Sequence, residues 1–560
     1  MVMFDVILKD GVVLDGSGNP WFKADVAIAN GKIAEVSKKV QGNADRVIDA
    51  HGFTVSPGFV DIHNHSDQLR REGCIMTHNR AENLVRQGIT TISTGSCGMS
   101  ASPLSEMHRE ILKKRLAGSD HVEIDWLSMR EWMDRVEKKQ VALNLAPFVG
   151  FGTVRCSVMG EEGAGGERYE GTKDELEQMK KMVNQGMEDG AFGLTTGLEY
   201  APQRNAYTQE IIELAKVVGK YHGLYMSHIR SEDDYLIEAV KEFIEICEEA
   251  QLRGSISHHK ACSPTNWGKP NQTVRLIEKA RSRGIEVICD VYPWISVAVS
   301  NAGRHFVTPD ETFDIRQVLK QLKDPKRWKE IKSKSKARVE KEREENERRR
   351  NALAKRGTPC AIIWDPTTYY VIAYSKTKPQ FAWKSFKEIA EKTGDGDPWD
   401  VMRRIYIEDG GETHLGLGYS IEEDIITIYK QPWAAVSTDA SSEDRKIGLH
   451  PRNYGTYPRF LERFVRELRV MSWEEGIRRM TSLPAQFFGL QDRGLIREGS
   501  WADIVVFDPA TIKSNAVYGN PWQYPNGIPY VLVNGEVVVE KGKHTKALPG
   551  KVLRHYVKPN

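Results

Sequence analysis

The chain has no Cys-x-x-Cys pair, no apolar run of membrane length, no stretch built like a secretory leader, and almost no net charge. Its seven cysteines are an odd number, which argues against a disulfide framework and for a reducing cytoplasm. Charge-free stretches such as 142–154 and 291–303 carry proline and polar residues. Both fall short of the ~20 apolar residues that a membrane span needs. The opening MVMFDVILKDG is interrupted by Asp5 and Lys9, where a leader would need a basic start and an apolar core, so no leader is expected. Lys and Arg total 79 against 77 Asp and Glu, a net charge of +2, which gives no global pull towards nucleic acid or membrane.

What is present is ample core material. Hydrophobic residues make up 40% of 560 positions, which excludes a disordered or fibrous chain. The first ~55 residues alternate β-branched runs with Asp-Gly and Asn-Gly hairpin signals, and the same texture returns in ADIVVFD and VLVNGEVVVE near the far end. The two ends are therefore expected to build one small β-sandwich domain, from 1–56 and 490–560.

The middle, 57–489, alternates short apolar runs with amphipathic stretches. The runs fall at 58–63, 89–94, 141–149, 192–196, 224–228, 255–258, 285–292 and 434–439. Eight such runs separated by helical segments such as 173–190, 209–222 and 235–253 form the pattern of a (β/α)8 TIM-like barrel. In that α/β fold the chemistry sits at the C-terminal ends of the strands. The segment 323–350 is almost wholly charged and lacks the interleaved aromatics of a nucleic-acid surface, so it reads as a solvated helix. It is placed in an insertion, 295–385, between the seventh and eighth strands, where it would overhang the barrel mouth as a lid.

Metal-binding residue types recur where those strands end. His63 and His65 follow the first run with period two, so in an extended backbone both project to one side. Cys97 lies in a glycine-flanked turn after the second run, where a thiolate could ligate a metal. His228 ends LYMSHIR, the pair His258-His259 ends GSISHHK, and Asp439 ends WAAVSTD. Any one of these could be an ordinary buried polar residue. Five strands ending this way are costly to bury unless a metal supplies partners.

The motifs PGFVDIHNHSD, GSCGMS, MSHIR, SHHK, DVYP, STDA, HPRNYGTYPRFL and GLIREGSWADIVVFDP occur in an order similar to that of the amidohydrolase superfamily, and within it the N-acyl-D-amino-acid deacylase (D-aminoacylase) family. The resemblance covers nearly the whole chain. It implies a zinc enzyme in which Cys97, His228 and His258 match the ligands of a tightly held ion. His63 and His65 match those of a second, weaker site that shares Cys97. Asp439 matches the general acid/base. Lys260, Tyr292 and Arg452 match residues that bind the substrate's carboxylate, and Tyr200 matches a tyrosine near the metal that acts as carbonyl donor or pocket wall. The rival of His258 is His259; alignment with the family's motif favours His258. A cysteine stands where many superfamily members use a carboxylated lysine.

The activity implied is hydrolysis of the amide bond of small N-acyl-D-amino acids. The alternatives are a cyclic-amide hydrolase of the dihydroorotase or hydantoinase kind on the same fold, and a non-catalytic scaffold that has lost its ligands. After DVYP the sequence WISVAVSNAG departs from the family's small and hydroxylated residues, and the segment between Asp439 and His450 is longer than usual. Both regions bear on which acyl-amino acid is used.

Overall fold

Eight parallel strands close a barrel in the computed structural model, which describes residues 3–69, 74–117, 122–165, 168, 170–307, 313–358, 366–443 and 448–556. The strands are Phe59–Asp61, Ile89–Thr94, Asn144–Pro147 with its continuation Val149–Gly150, Gly193–Gly197, Leu224–His228, Arg253–Ile256, Val287–Val291 and Ala434–Val436. Each expected run overlaps one of them. The third is split: its first half pairs with the second strand and its continuation with the fourth. Nearly every strand residue is buried, as a parallel sheet covered on both faces requires.

The ring closes between the eighth and first strands. The Asp439 amide donates to the His63 carbonyl at 3.0 Å and the His65 amide to the Ala440 carbonyl at 2.7 Å. Asp61 pins the same seam, accepting from the Thr438 amide and from Asn64 Nδ2, each at 2.9 Å.

The covering helices follow local rules. Lys173–Glu188 starts at a reciprocal cap, in which the Thr172 hydroxyl accepts from the Glu175 amide and the Glu175 carboxylate accepts from the Thr172 amide. It buries Met179, Val183, Gly186 and Met187, a helical stripe against the barrel.

Both chain ends enter one nine-stranded sheet, in which Thr54–Pro57 pairs with Ile504–Phe507. The period of two divides that sheet's duties. Ile504, Val506 and Leu532 join an apolar cluster with Val6, Leu8 and Val26, whereas Val505, Phe507, Val531 and Val533 pack into the barrel's core. The last described stretch leaves the sheet, and the amides and carbonyls of Leu145 and 551–553 tie it to the third barrel strand.

The insertion between the seventh and eighth strands runs further than the expected 295–385. Strand Ser296–Asn301 pairs antiparallel with His414–Tyr419, which also pairs with Val371–Tyr374, so the unit continues to Tyr419. Such non-local pairing leaves no mark in the sequence. The unit has its own core, including Phe306, Trp328, Phe386, Trp399, Met402 and Tyr406. The charged segment is a helix, Pro325–Ala354, capped by Asp324 and mostly exposed. It buries Trp328, Val339 and Leu353, and Arg349 Nε donates to Asn205 on the barrel at 2.8 Å.

Among the described residues no helix is long and apolar enough to cross a membrane. Six cysteines are free and buried, and Cys360 lies outside the described residues.

Candidate metal centre and active site

Cys97 is the hub of the barrel mouth. Its Sγ lies 3.3 Å from His63 Nε2, 3.6 Å from His258 Nε2 and 4.0 Å from His228 Nδ1. The first, second, fifth and sixth strands thus deliver one donor each to one point. Gly197 makes room for the cysteine's turn: a side chain there would stand 2.4 Å from the Cys97 carbonyl oxygen. His65 is drawn instead to Asp439, with Nε2 2.8 Å from Oδ1. Three of these residues have left-handed backbone, with φ of 55° at Cys97, 37° at His258 and 49° at Asp439. Non-glycine residues there carry strain, and strain held at one place is typical of a working site.

Each imidazole has a polar group on the ring nitrogen that faces away from the hub. His228 Nε2 lies 2.6 Å from Glu199 Oε2, and His258 Nδ1 lies 2.8 Å from Glu232 Oε1. His65 Nδ1 is held by the Gln68 amide at 2.7 Å. His63 Nδ1 faces Asp290 Oδ2 at 3.9 Å, and both atoms are buried without a hydrogen-bond partner. Carboxylates on the outer nitrogens leave the inner ones as lone pairs, the arrangement that prepares histidines for a metal. The donor atoms of His63, Cys97 and His258 lie within 4.8 Å of one another, as do those of His63, His65 and Asp439. Buried nitrogen and sulfur donors gathered in this way fit zinc.

The electrostatics agree. Burial alone would raise the Cys97 thiol, but the charges of His63 and His65 and the bonds to His228 and His258 bring it well below its ordinary value, towards a thiolate. Burial would likewise raise Asp439, yet the Arg452 guanidinium and the His65 bond hold its carboxyl well below the usual carboxylate range. Burial would lower His65, but Cys97 and Asp439 push it up to about 9.

A cavity of about 430 Å³ opens beside this cluster. His65, Asp439, His450 and Arg452 line one side, and 298–301 with Arg304, from the insertion, line another. The departure noted after DVYP is therefore a wall of the pocket. The segment after Asp439 also contributes, through Ser441–Glu443 and 448–450, while 444–447 lie outside the described residues.

The remaining expected residues are near. Arg452 Nη1 bonds Asp439 Oδ2 at 2.7 Å and the Val297 carbonyl at 2.6 Å. Lys260 Nζ and the Arg452 guanidinium each stand 5.1 Å from the centre of the Tyr292 ring. The Tyr200 hydroxyl donates to the Cys97 carbonyl at 3.3 Å, and its ring meets the His228 ring edge-on at 5.0 Å. Of the adjacent histidines, His258 faces the sulfur. His259 Nε2 turns to Thr273 at 2.7 Å, and burial pulls its pKa down to about 4.

Glu199, Glu232 and Asp290 were not singled out from sequence. Glu199 precedes Tyr200 in GLEYAP, Glu232 follows His228 by four residues, and Asp290 opens DVYP. Their closeness to the strand ends was the available signal.

Residues 424–539 match the model of the amidohydrolase family. The chain is 29% identical, over 98% of its length and 95% of the relative's, to an N-acyl-D-aspartate deacylase of Alcaligenes xylosoxydans xylosoxydans. Its fold is similar to the crystal structure of an N-acyl-D-glutamate deacylase from Bordetella bronchiseptica complexed with zinc and a phosphonate that mimics the tetrahedral intermediate. That likeness has a TM-score of 0.73 at 27% identity, over 99% of this chain and 100% of that one. A D-aminoacylase crystal structure gives a TM-score of 0.74 at 28% identity, over 98% and 100%.

Proposed function

We propose that the chain, which matches the amidohydrolase family model over 424–539 and N-acyl-D-amino-acid deacylases over 98% of its length, is a zinc-dependent hydrolase of N-acyl-D-amino acids, releasing a carboxylate and the free D-amino acid. The observation that carries the reading is one sulfur, Cys97 Sγ, ringed by three imidazole nitrogens beside a pocket where Asp439 and Arg452 stand together. The D configuration follows the relatives, whose substrates are N-acyl-D-aspartate and N-acyl-D-glutamate.

Cys97, His228 and His258 are the residues that would hold the tight zinc, with His63 and His65 for a second. Zinc bound there lowers the pKa of a water molecule and polarises the amide carbonyl. Asp439, kept ionised by Arg452 and His65, takes the proton of the attacking water and passes it to the departing amine nitrogen. The water's oxygen remains on the acyl carbon as the carbon–nitrogen bond breaks, so one carboxylate and one amine leave.

Lys260 and Arg452, each 5.1 Å from the centre of the Tyr292 ring, receive the substrate's α-carboxylate. Arg452 Nε is buried with no partner among the described residues, a donor available for that task. Two cations here favour a substrate bearing a free carboxylate over a neutral cyclic amide. With its hydroxyl on the Cys97 carbonyl and its ring against His228, Tyr200 packs against the metal ligands. The insertion covers the pocket through 298–301 and Arg304, where it meets the substrate's variable groups. The free, buried cysteines support a cytoplasmic setting.

Stripping the metal with a chelator should abolish hydrolysis of N-acetyl-D-amino acids, and zinc should restore it. Hydrolysis that survives complete removal of zinc overturns the reading.

A further inference from the structure

One carboxylate oxygen touches both halves of this site. Glu232 Oε1 lies 2.8 Å from His258 Nδ1 and 2.7 Å from Lys260 Nζ. His258 presents its other nitrogen, Nε2, to Cys97. We propose that Glu232 is a positioning residue that fixes a metal ligand and the carboxylate-binding lysine together, so that metal affinity and substrate affinity share one support. The metal half stands on the histidine geometry alone, and the Lys260 half rests on the deacylase reading.

The geometry argues against a simpler role as a ligand. Glu232, His228 and His258 offer donor atoms within 4.8 Å of one another. However, the oxygen sits on the Nδ1 side of the His258 ring, while Cys97 sits on the Nε2 side. An ion held at Nε2 has the whole ring between itself and that oxygen. The Lys260 ammonium also lies 2.8 Å from His258 Nδ1. An Nδ1 that carries a proton for Glu232 cannot accept from lysine, so both donors converge on Oε1, which accepts from the neutral imidazole and from the ammonium. A glutamine keeps the reach of that side chain but loses the charge.

The loop is built to hold Glu232 still. Arg230, fully buried, bonds both carboxylate oxygens of Glu242 and the carbonyls of Arg204 and Ala206. The Glu232 carbonyl accepts from the Cys262 amide at 2.8 Å. Asp233 accepts from the Tyr369 hydroxyl at 2.8 Å, which braces the loop against the insertion. Glu199 supplies the comparison, because it lies beside a ligand histidine, His228, and makes no bond to Lys260.

The test measures two quantities on folded wild type, Glu232→Gln, Glu232→Asp and Glu199→Gln. One is zinc affinity by competition with a chromophoric chelator, without substrate. The other is KM and kcat on N-acetyl-D-amino acids at saturating zinc. Glu232→Gln should weaken zinc about 10- to 100-fold, the usual effect of losing a ligand's outer partner, and should also raise KM. Glu199→Gln should weaken zinc with KM unchanged. Glu232→Asp keeps the charge with a shorter reach and should fall between wild type and Gln. If Gln fails to fold, Asp carries the test.

Zinc affinity in Glu232→Gln within about twofold of wild type overturns the proposal, whatever the turnover. Weakened zinc with KM unchanged overturns the coupling to Lys260. A wild type that hydrolyses no N-acyl-D-amino acid, yet shows the expected zinc losses in the variants, refutes the deacylase reading and upholds the metal half.

Discussion

Arg452 Nη1 lies 2.7 Å from Asp439 Oδ2, so the residue assigned to the substrate's carboxylate also holds the carboxylate assigned to move the proton. The planar guanidinium can serve both because its donors diverge, and Nε has no partner among the described residues. Lysine in this place offers one compact charge. Arg452→Lys should therefore raise KM and lower kcat together, each by about tenfold or more, given ~1.5–3 kcal/mol for a hydrogen bond to a charged group. Steady-state kinetics decide it, and a variant with only one of the two constants altered contradicts the shared role.

Asp439→Asn removes the proposed base and keeps the shape. The variant should fold, bind zinc as wild type does, and lose ~100- to 10,000-fold in kcat, the range for a positioned proton-transfer group. Metal analysis and turnover on the same preparation check it. Near-full kcat with zinc bound refutes the assignment.

His258 and His259 provide a control within one dipeptide. His258→Ala removes a ring 3.6 Å from Cys97 Sγ and should abolish stoichiometric zinc. His259→Ala removes a ring bonded to Thr273 and should lower the melting temperature while leaving zinc content intact. Zinc lost from His259→Ala but kept by His258→Ala would reverse the ligand assignment.

Zinc should also stabilise the fold. Cys97, His63, His228 and His258 are buried around one point, and an ion that binds only the folded state adds ~2.7 kcal/mol when present at ~100 times its dissociation constant. The melting temperature should therefore fall on chelation and recover with zinc. A melting temperature indifferent to zinc contradicts a buried site.

The strands and the ligand types were legible in sequence for different reasons. A buried parallel strand reads as an apolar run; His228, the His258-His259 pair and Asp439 each end one and Cys97 closely follows another, so position marked the candidates, and the resemblance supplied their roles. Glu199 and Glu232 were not legible, since acidic residues close to strand ends are common and only the fold shows which face an imidazole. The extent of the insertion was hidden because His414–Tyr419 pairs with Ser296–Asn301 across more than a hundred residues. The choice between His258 and His259 needed the left-handed turn at His258, which aims one ring at the sulfur and the other at Thr273.

The most direct test of the central claim is turnover by the zinc-loaded protein of matched N-acetyl-D- and N-acetyl-L-amino acids with acidic, basic and apolar side chains. The account predicts hydrolysis of D substrates alone, with their ranking set by the pocket wall at 298–301 and Arg304. Turnover of the L series, or of neither series with zinc bound, would contradict it.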